Sequence, residues 1–219
     1  MITNVEALSK HISDQLRDYA KRNAIKCAVI VFDDFRAPSS MLAAQLCSAA
    51  GLNTKCFAPF VKHLTCMASM PRVSTDLKTE EAFSTSLNYA DTYNGLLIGS
   101  LSRNDRLSRT YGKWKEGRAD LFPIYDLYLS EINQLLQFNG LGDFCHEMTS
   151  IDEVTEYLDA QHPDIILADE MPNKNKMWFR YTMQQKEAIA KLHAREKKTR
   201  HKQIDPSRYL ALRKLPWFK

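Results

Sequence analysis

Residues 33–40, Asp33-Asp34-Phe35-Arg36-Ala37-Pro38-Ser39-Ser40, stand where an α/β protein would hold a phosphate. They follow the apolar run Cys27-Ala28-Val29-Ile30-Val31-Phe32 and precede Met41-Leu42-Ala43-Ala44, an order that reads as buried strand, loop and helix start. In such a loop, glycines let backbone N–H groups close around an anion, and the helix N-terminus adds positive potential. This loop has no glycine, Pro38 has no N–H to donate, and the adjacent Asp33 and Asp34 repel phosphate. Arg36 offers one flexible cation, which does not replace a preorganised nest. Cleavage of a triphosphate is therefore not expected here.

Four further constellations have spacings that bear on chemistry. Leu96-Leu97-Ile98 ends in Gly99-Ser100, with Asp105 five residues after Ser100. A hard cation wants several oxygens at short range, so one lone Asp105 reads as solvated polarity on a helix. Asp120 heads an Asp-x-x-Pro123 turn, where its carboxylate accepts hydrogen bonds either from ribose hydroxyls or from the turn itself. Arg103, Arg106 and Arg109 recur every third residue, near Lys115 and Arg118. On a helix they share a face that suits phosphate or RNA backbone, but no aromatic residue interleaves, so charged surface is the expectation. The basic stretch Arg195 to Lys202, ending in His201-Lys202, suits a solvated helix end favoured by the dipole.

The elements that must position these residues are legible from periodicity. Val5, Leu8, Ile12, Leu16 and Tyr19 predict an amphipathic helix with Asn4 as cap. A helix opened by Pro38-Ser39-Ser40 is stopped by Gly51, a short strand runs from Thr54 to Phe57, and Ala58-Pro59-Phe60 ends it. Residues 61–75 lack periodicity, a helix over 79–93 feeds the strand at 95–99, and helices follow at about 128–139, 151–159 and 180–199 before a polar tail. Residues 164–169 read as a short strand or a loop. Strand–helix alternation predicts a doubly wound parallel α/β sheet with ligands at the carboxyl ends of its strands and added C-terminal helices.

With 219 residues, 44% of them hydrophobic, the chain can bury one sizeable core, and a net charge of +4 does not by itself point to nucleic acid. Cys27, Cys47, Cys56, Cys66 and Cys145 form no C-x-x-C pair, which suits reduced, mostly buried thiols. With no signal-type run and no long apolar stretch, a soluble cytoplasmic protein is expected.

The order from Gly95 to Leu136 resembles the ammonia-dependent NAD synthetases, N-type ATP pyrophosphatases of the adenine nucleotide α-hydrolase-like group. Their pattern is a hydrophobic strand, Gly-Thr, a Glu five residues on, an aromatic-Thr-Lys-Tyr-Gly-Asp loop, then Asp-Ile/Leu-Asn-Pro-Ile/Leu. The resemblance covers residues 3–60 by pattern, is closest over 94–141, and returns at 190–206; residues 142–180 align poorly. It implies that Ser100 touches nucleotide, that Asp105 stands for a magnesium-binding Glu, and that Lys113, Asp120, His201 and Lys202 face a dinucleotide. Phe57, Pro59 and Phe60 match the family's Arg-Leu-Pro-Tyr beside the nucleotide, although a strand end broken by proline reads equally well.

The departures are as informative as the matches. The family's pyrophosphate loop is Ser-Gly-Gly-x-Asp-Ser, and Phe35, Arg36, Ala37, Pro38, Ser39 and Ser40 stand in its place, with Ser39 at the metal-binding Asp. Leu129 replaces a Lys that reaches ATP phosphates, and Glu80 an Arg that meets substrate. In the family, ATP adenylates a nicotinic-acid carboxylate and ammonia displaces AMP, giving NAD. The resemblance thus implies one NAD synthetase-like unit over 1–219 (core 3–141, helical part 142–219) with a degenerate loop. That unit binds ATP, AMP or an NAD-type dinucleotide, or a protein partner, with no magnesium required, and forms a homodimer. The alternatives are an active, divergent ATP-dependent amide ligase with Asp34, Asp105 and Arg36 recruited, and an RNA-binding or scaffold protein on the arginine face.

Overall fold

A computed structural model describes residues 2–32, 37–57, 79–108, 116–161, 182–183, 186–187, 190 and 208–218. Three parallel strands, β1 (Cys27–Val31), β2 (Asn53–Phe57) and β3 (Gly95–Ile98), form a sheet in the order β2-β1-β3. Register pairs Cys27 with both Asn53 and Gly95, and Ile30 with both Cys56 and Ile98. β1 is wholly buried, as its unbroken apolar run requires for a central parallel strand.

Alternation along β1 divides the core between the two faces of the sheet. Ala28, Ile30 and Phe32 join one apolar cluster with Leu8, Ile12 and Leu16 of α1 (Val5–Arg22), Leu42 and Leu46 of α2 (Ala37–Ala49), and Ile132, Leu135 and Leu136 of α5 (Leu129–Phe138). Cys27, Val29 and Val31 point the other way, to a cluster with Ala82 and Ala90 of α3 (Thr79–Thr92) and with Phe122 and Tyr125. Helices on both faces make the sheet doubly wound, as the strand–helix alternation predicted. α4 (Arg103–Ser108) and α6 (Ser150–Gln161) complete the described helices.

Local chemistry fixes the element ends. Asn4 Oδ1 accepts the Ala7 N–H at 2.9 Å to cap α1, and Gly51 takes a φ of +82° after α2. α4 starts in a reciprocal capping box: Ser102 N and Oγ both donate to Asp105 Oδ2, at 2.9 and 2.8 Å, and Asp105 N donates to Ser102 Oγ at 3.1 Å. Thr149 and Asp152 repeat the device at α6.

The sheet extends beyond β3 without a further regular strand. Leu121 bridges Ile98 in parallel, Phe122 bridges Tyr209, and Gly99 N donates to Leu121 O at 2.9 Å. The polar tail expected past the last helix is therefore corrected for residues 208–218. Leu212 is buried, Leu210, Leu215, Trp217 and Phe218 pack on the first core cluster, and Phe218 bridges Ile2. Five apolar side chains in eleven residues outweigh the charges between them. The strand or loop at 164–169 and the segment at 61–75 lie outside the described residues, as does nearly all of the helix expected over 180–199. Among the described residues, no helix is long and apolar enough to cross a membrane.

Gly99 sits where the sheet turns into this extension, and a Cβ there would stand 2.2 Å from the Phe122 ring. Phe122 is fully buried, so its ring has little room to yield. Gly99→Ala is expected to cost about 1–3 kcal/mol in chemical denaturation.

Candidate functional site

A shallow, open cleft lies at the carboxyl ends of β1 and β3. Val31, Leu97, Ile98, Gly99 and Ser100 line it from the sheet, with Phe83 of α3 and Ala119 opposite. The lining is mainly apolar, with the Ser100 hydroxyl on a half-buried residue.

The turn that carries Ala119 is tied to the sheet by Asp120. Its Oδ2 accepts the Leu97 N–H at 2.9 Å, and its own N–H donates to Leu97 O at 2.8 Å. The carboxylate thus closes the outer edge of β3, which accounts for the acid at the head of the Asp-x-x-Pro turn. On the far side, Arg208 donates to Ala119 O and lies over the Phe122 ring, 5.6 Å from its centroid.

At the α2 end of the site, the two serine hydroxyls are turned inward. Ser40 Oγ donates to Val31 O at 3.2 Å, and Ser39 Oγ shares a 2.8 Å hydrogen bond with His146 Nε2; both serines are buried. Asn133 of α5 clamps His146 by its backbone, accepting from its N–H at 2.7 Å and donating to its carbonyl at 3.0 Å. Burial pushes the imidazole below its ordinary pKa, against the raising influence of the Asp105 and Asp152 carboxylates.

A dense ionic network underlies the cleft. Arg103 of α4 donates to Asp126 Oδ1 at 2.6 Å and, through Nε, to Asp159 Oδ2. Tyr128 Oη donates to the same Asp159 oxygen at 2.6 Å. Arg213 N and Nε meet Asp126 Oδ2 and O at 2.9 and 3.1 Å, and its guanidinium takes Glu131 as a fork, Nη1 to Oε1 being 2.8 Å. That guanidinium also stacks 4.1 Å from the Tyr128 centroid and 4.8 Å from that of Phe218. Burial works against the Arg103 charge, but Asp159 and Asp126 outweigh it and the pKa rises; burial and Asp159 raise that of Tyr128.

Several expectations meet this geometry directly. Ser100 lines the cleft, and Asp120 borders it through Ala119. Phe57 packs into the core edge-on to Tyr89, with 5.7 Å between centroids. Asp105 is buried, which corrects its reading as solvated polarity. The charged-surface expectation is corrected for Arg103, whose side chain is only 16% exposed in its ion pairs, while Arg106 lies over Tyr125 and Tyr209. Phe35, Arg36, Pro59, Phe60, Arg109, Lys113, Lys115, His201 and Lys202 lie outside the described residues, as does the Ala37 side chain. His146, Asn133, Asp126, Asp159, Arg208 and Arg213 were not singled out from sequence. The apolar residues of 209–218 carried a usable signal for the last two; nothing local marked His146.

The site residues do not fit a magnesium ion. Asp105 Oδ2 is committed to the Ser102 cap, Ser39 offers only a hydroxyl already bonded to His146, and no cluster of three metal-type ligands occurs among the described residues.

No family model matches the chain, and no curated protein matches it in sequence. Solved structures do. An NH3-dependent NAD synthetase from Campylobacter jejuni, in complex with nitrate ion, is 16% identical, covers 93% of this chain and 98% of its own, and gives a TM-score of 0.63. An NMN synthetase from Francisella tularensis is 17% identical over 95% of this chain and 98% of its own, with a TM-score of 0.62. The fold is that of the NAD synthetases. An NAD+ synthetase from Burkholderia pseudomallei adds a TM-score of 0.50 at 13% identity, covering 91% of this chain and 90% of its own. Within the NAD synthetase fold, the cleft lies where doubly wound sheets hold their ligands, at the strands' carboxyl ends.

Two measurements check the electrostatics. Arg213→Ala leaves the buried Glu131 without its guanidinium, while Asp126 keeps Arg103, and is expected to cost about 3 kcal/mol or more in urea unfolding. His146 is held neutral in the fold but takes a proton near pH 6.5 when unfolded. Its contribution is therefore complete above about pH 6.5 and is lost as the pH falls from there through the lower folded value. Wild-type stability is expected to drop on acidification across that window, and His146→Gln to remove that component of the slope.

Proposed function

We propose that this protein is an NAD synthetase-like nucleotide binder that no longer cleaves ATP. The observation that carries the reading is the first turn of α2. There Pro38 has no N–H to give, and the Ser39 and Ser40 hydroxyls are spent on His146 and Val31 O instead of on a phosphate. A triphosphate held for cleavage needs donors preorganised toward it, and these point into the protein. Leu129 in place of a phosphate-reaching Lys supports the same reading.

The cleft's place at the carboxyl ends of the strands, with Ser100 at its edge, supports an adenine nucleotide or an NAD-type dinucleotide docking there. Asp120, Lys113, His201 and Lys202 are the proposed dinucleotide contacts, and Phe57, Pro59 and Phe60 border the nucleotide. Chain 1–219 acts as one unit, core 3–141 with the helical part 142–219, in a cytoplasmic homodimer or with a protein partner. The second reading, an active amide ligase converting ATP, deamido-NAD and ammonia to NAD, is favoured by the retained cleft and by the NAD synthetase and NMN synthetase similarities.

Isothermal titration with AMP, ATP, NAD and deamido-NAD separates the two. The expected outcome is saturable binding of at least one of them, unaffected by magnesium, with no NAD formed. Ser100→Phe is expected to weaken that binding roughly tenfold, about 1.4 kcal/mol. Magnesium-dependent NAD production lost in Asp105→Ala would establish the ligase instead.

A further inference from the structure

His146 lies in the segment that aligns worst with the NAD synthetases, yet it reaches the centre of the resemblance. Its Nε2 meets Ser39 at 2.8 Å, the residue standing where the resemblance puts a metal-binding Asp. The Asp105 carboxylate, in place of a metal-binding Glu, is close enough for its charge to act on the same ring. The imidazole therefore touches one degenerate metal position. It is held there firmly, because Asn133 fixes its backbone from both sides and Cys145 Sγ, one residue earlier, donates to Asn133 O at 3.7 Å.

We propose that the His146 imidazole fills the space beside Ser39 that a divalent cation would occupy, so that any ligand at this end of the sheet is held without a metal. The proposal rests on the reading that ATP cleavage is lost and goes further, naming the group that stands in the metal's place. The ring is a fitting plug. A neutral imidazole is about the size of an ion with part of its coordination shell, and it satisfies the Ser39 hydroxyl that a short side chain leaves without a cation. Asp152 is the other carboxylate acting on the ring, and it is engaged in the α6 cap.

Mn²⁺ titration followed by electron paramagnetic resonance tests this directly. The wild-type chain is expected to bind no Mn²⁺ at this site into the millimolar range. Ser39→Asp restores a carboxylate but keeps the ring; Ser39→Asp with His146→Ala also empties the space. The double variant is expected to bind Mn²⁺ at least about tenfold tighter than Ser39→Asp alone. Equal affinity in the two folded variants overturns the proposal, and so does wild-type binding that His146→Ala weakens, which would make His146 a ligand. A second measurement needs no variant: millimolar Mg²⁺ is expected to leave the His146 ring ¹⁵N resonances of the wild type unmoved, and a saturable shift overturns the proposal. NAD formation with no Mn²⁺ bound would overturn the function reading while leaving the plug in place.

Discussion

Three buried carboxylates need cations, and the fold is arranged around supplying two guanidinium groups to them. Asp126, Glu131 and Asp159 are almost wholly removed from water. An unpaired charge in such a place costs several kcal/mol, so their partners are not optional. Arg103 arrives from the first turn of α4 and Arg213 from the last stretch of the chain. Through these two side chains α4, the 120–128 turn, α5, α6 and the C-terminal segment become one piece. Tyr128 lies at its middle, donating to Asp159 and stacking on Arg213. Ion pairs of this kind are weak contributors to net stability but strict about geometry, which is what a cleft wall requires.

The same piece sets the outer wall of the cleft. β3 lies at one edge of the three-stranded sheet, and an edge strand presents unpaired amides. Here those amides are taken up by Asp120, Leu121 and, one step out, the Phe122–Tyr209 bridge. Gly99 allows Phe122 to lie close to the sheet, and Phe122 in turn carries Arg208 and Tyr209. The positions of Gly99 and Ala119 in the cleft are thus decided by side chains that never enter it.

Much of the sheet was legible because its strands are short, apolar and followed by clear helix signals. Asn4, the apolar stripe of α1 and the Gly51 stop read as they fold, and the α/β alternation gave the location of the cleft before any coordinate was at hand. Asp105 and Arg103 were misjudged for one reason: a short polar helix reads as surface when the elements covering it come from far along the chain. α6 and residues 208–218 supply that cover, and no local spacing links either of them to α4. His146 was hidden more deeply. Its role depends on a contact with Ser39 across 107 positions, and no spacing rule reaches that far.

Arg213 also fixes when the molecule can be finished. Strands β1, β2 and β3 end by position 98, whereas the guanidinium that neutralises Glu131 lies 82 positions beyond that acid. Until that contact forms Glu131 must stay hydrated, so α5 cannot seat its buried face and the sheet waits half-covered. Closure of this fold thus waits on contacts 82 and 87 positions apart, and the interval before they form is when the exposed apolar strands most need a chaperone.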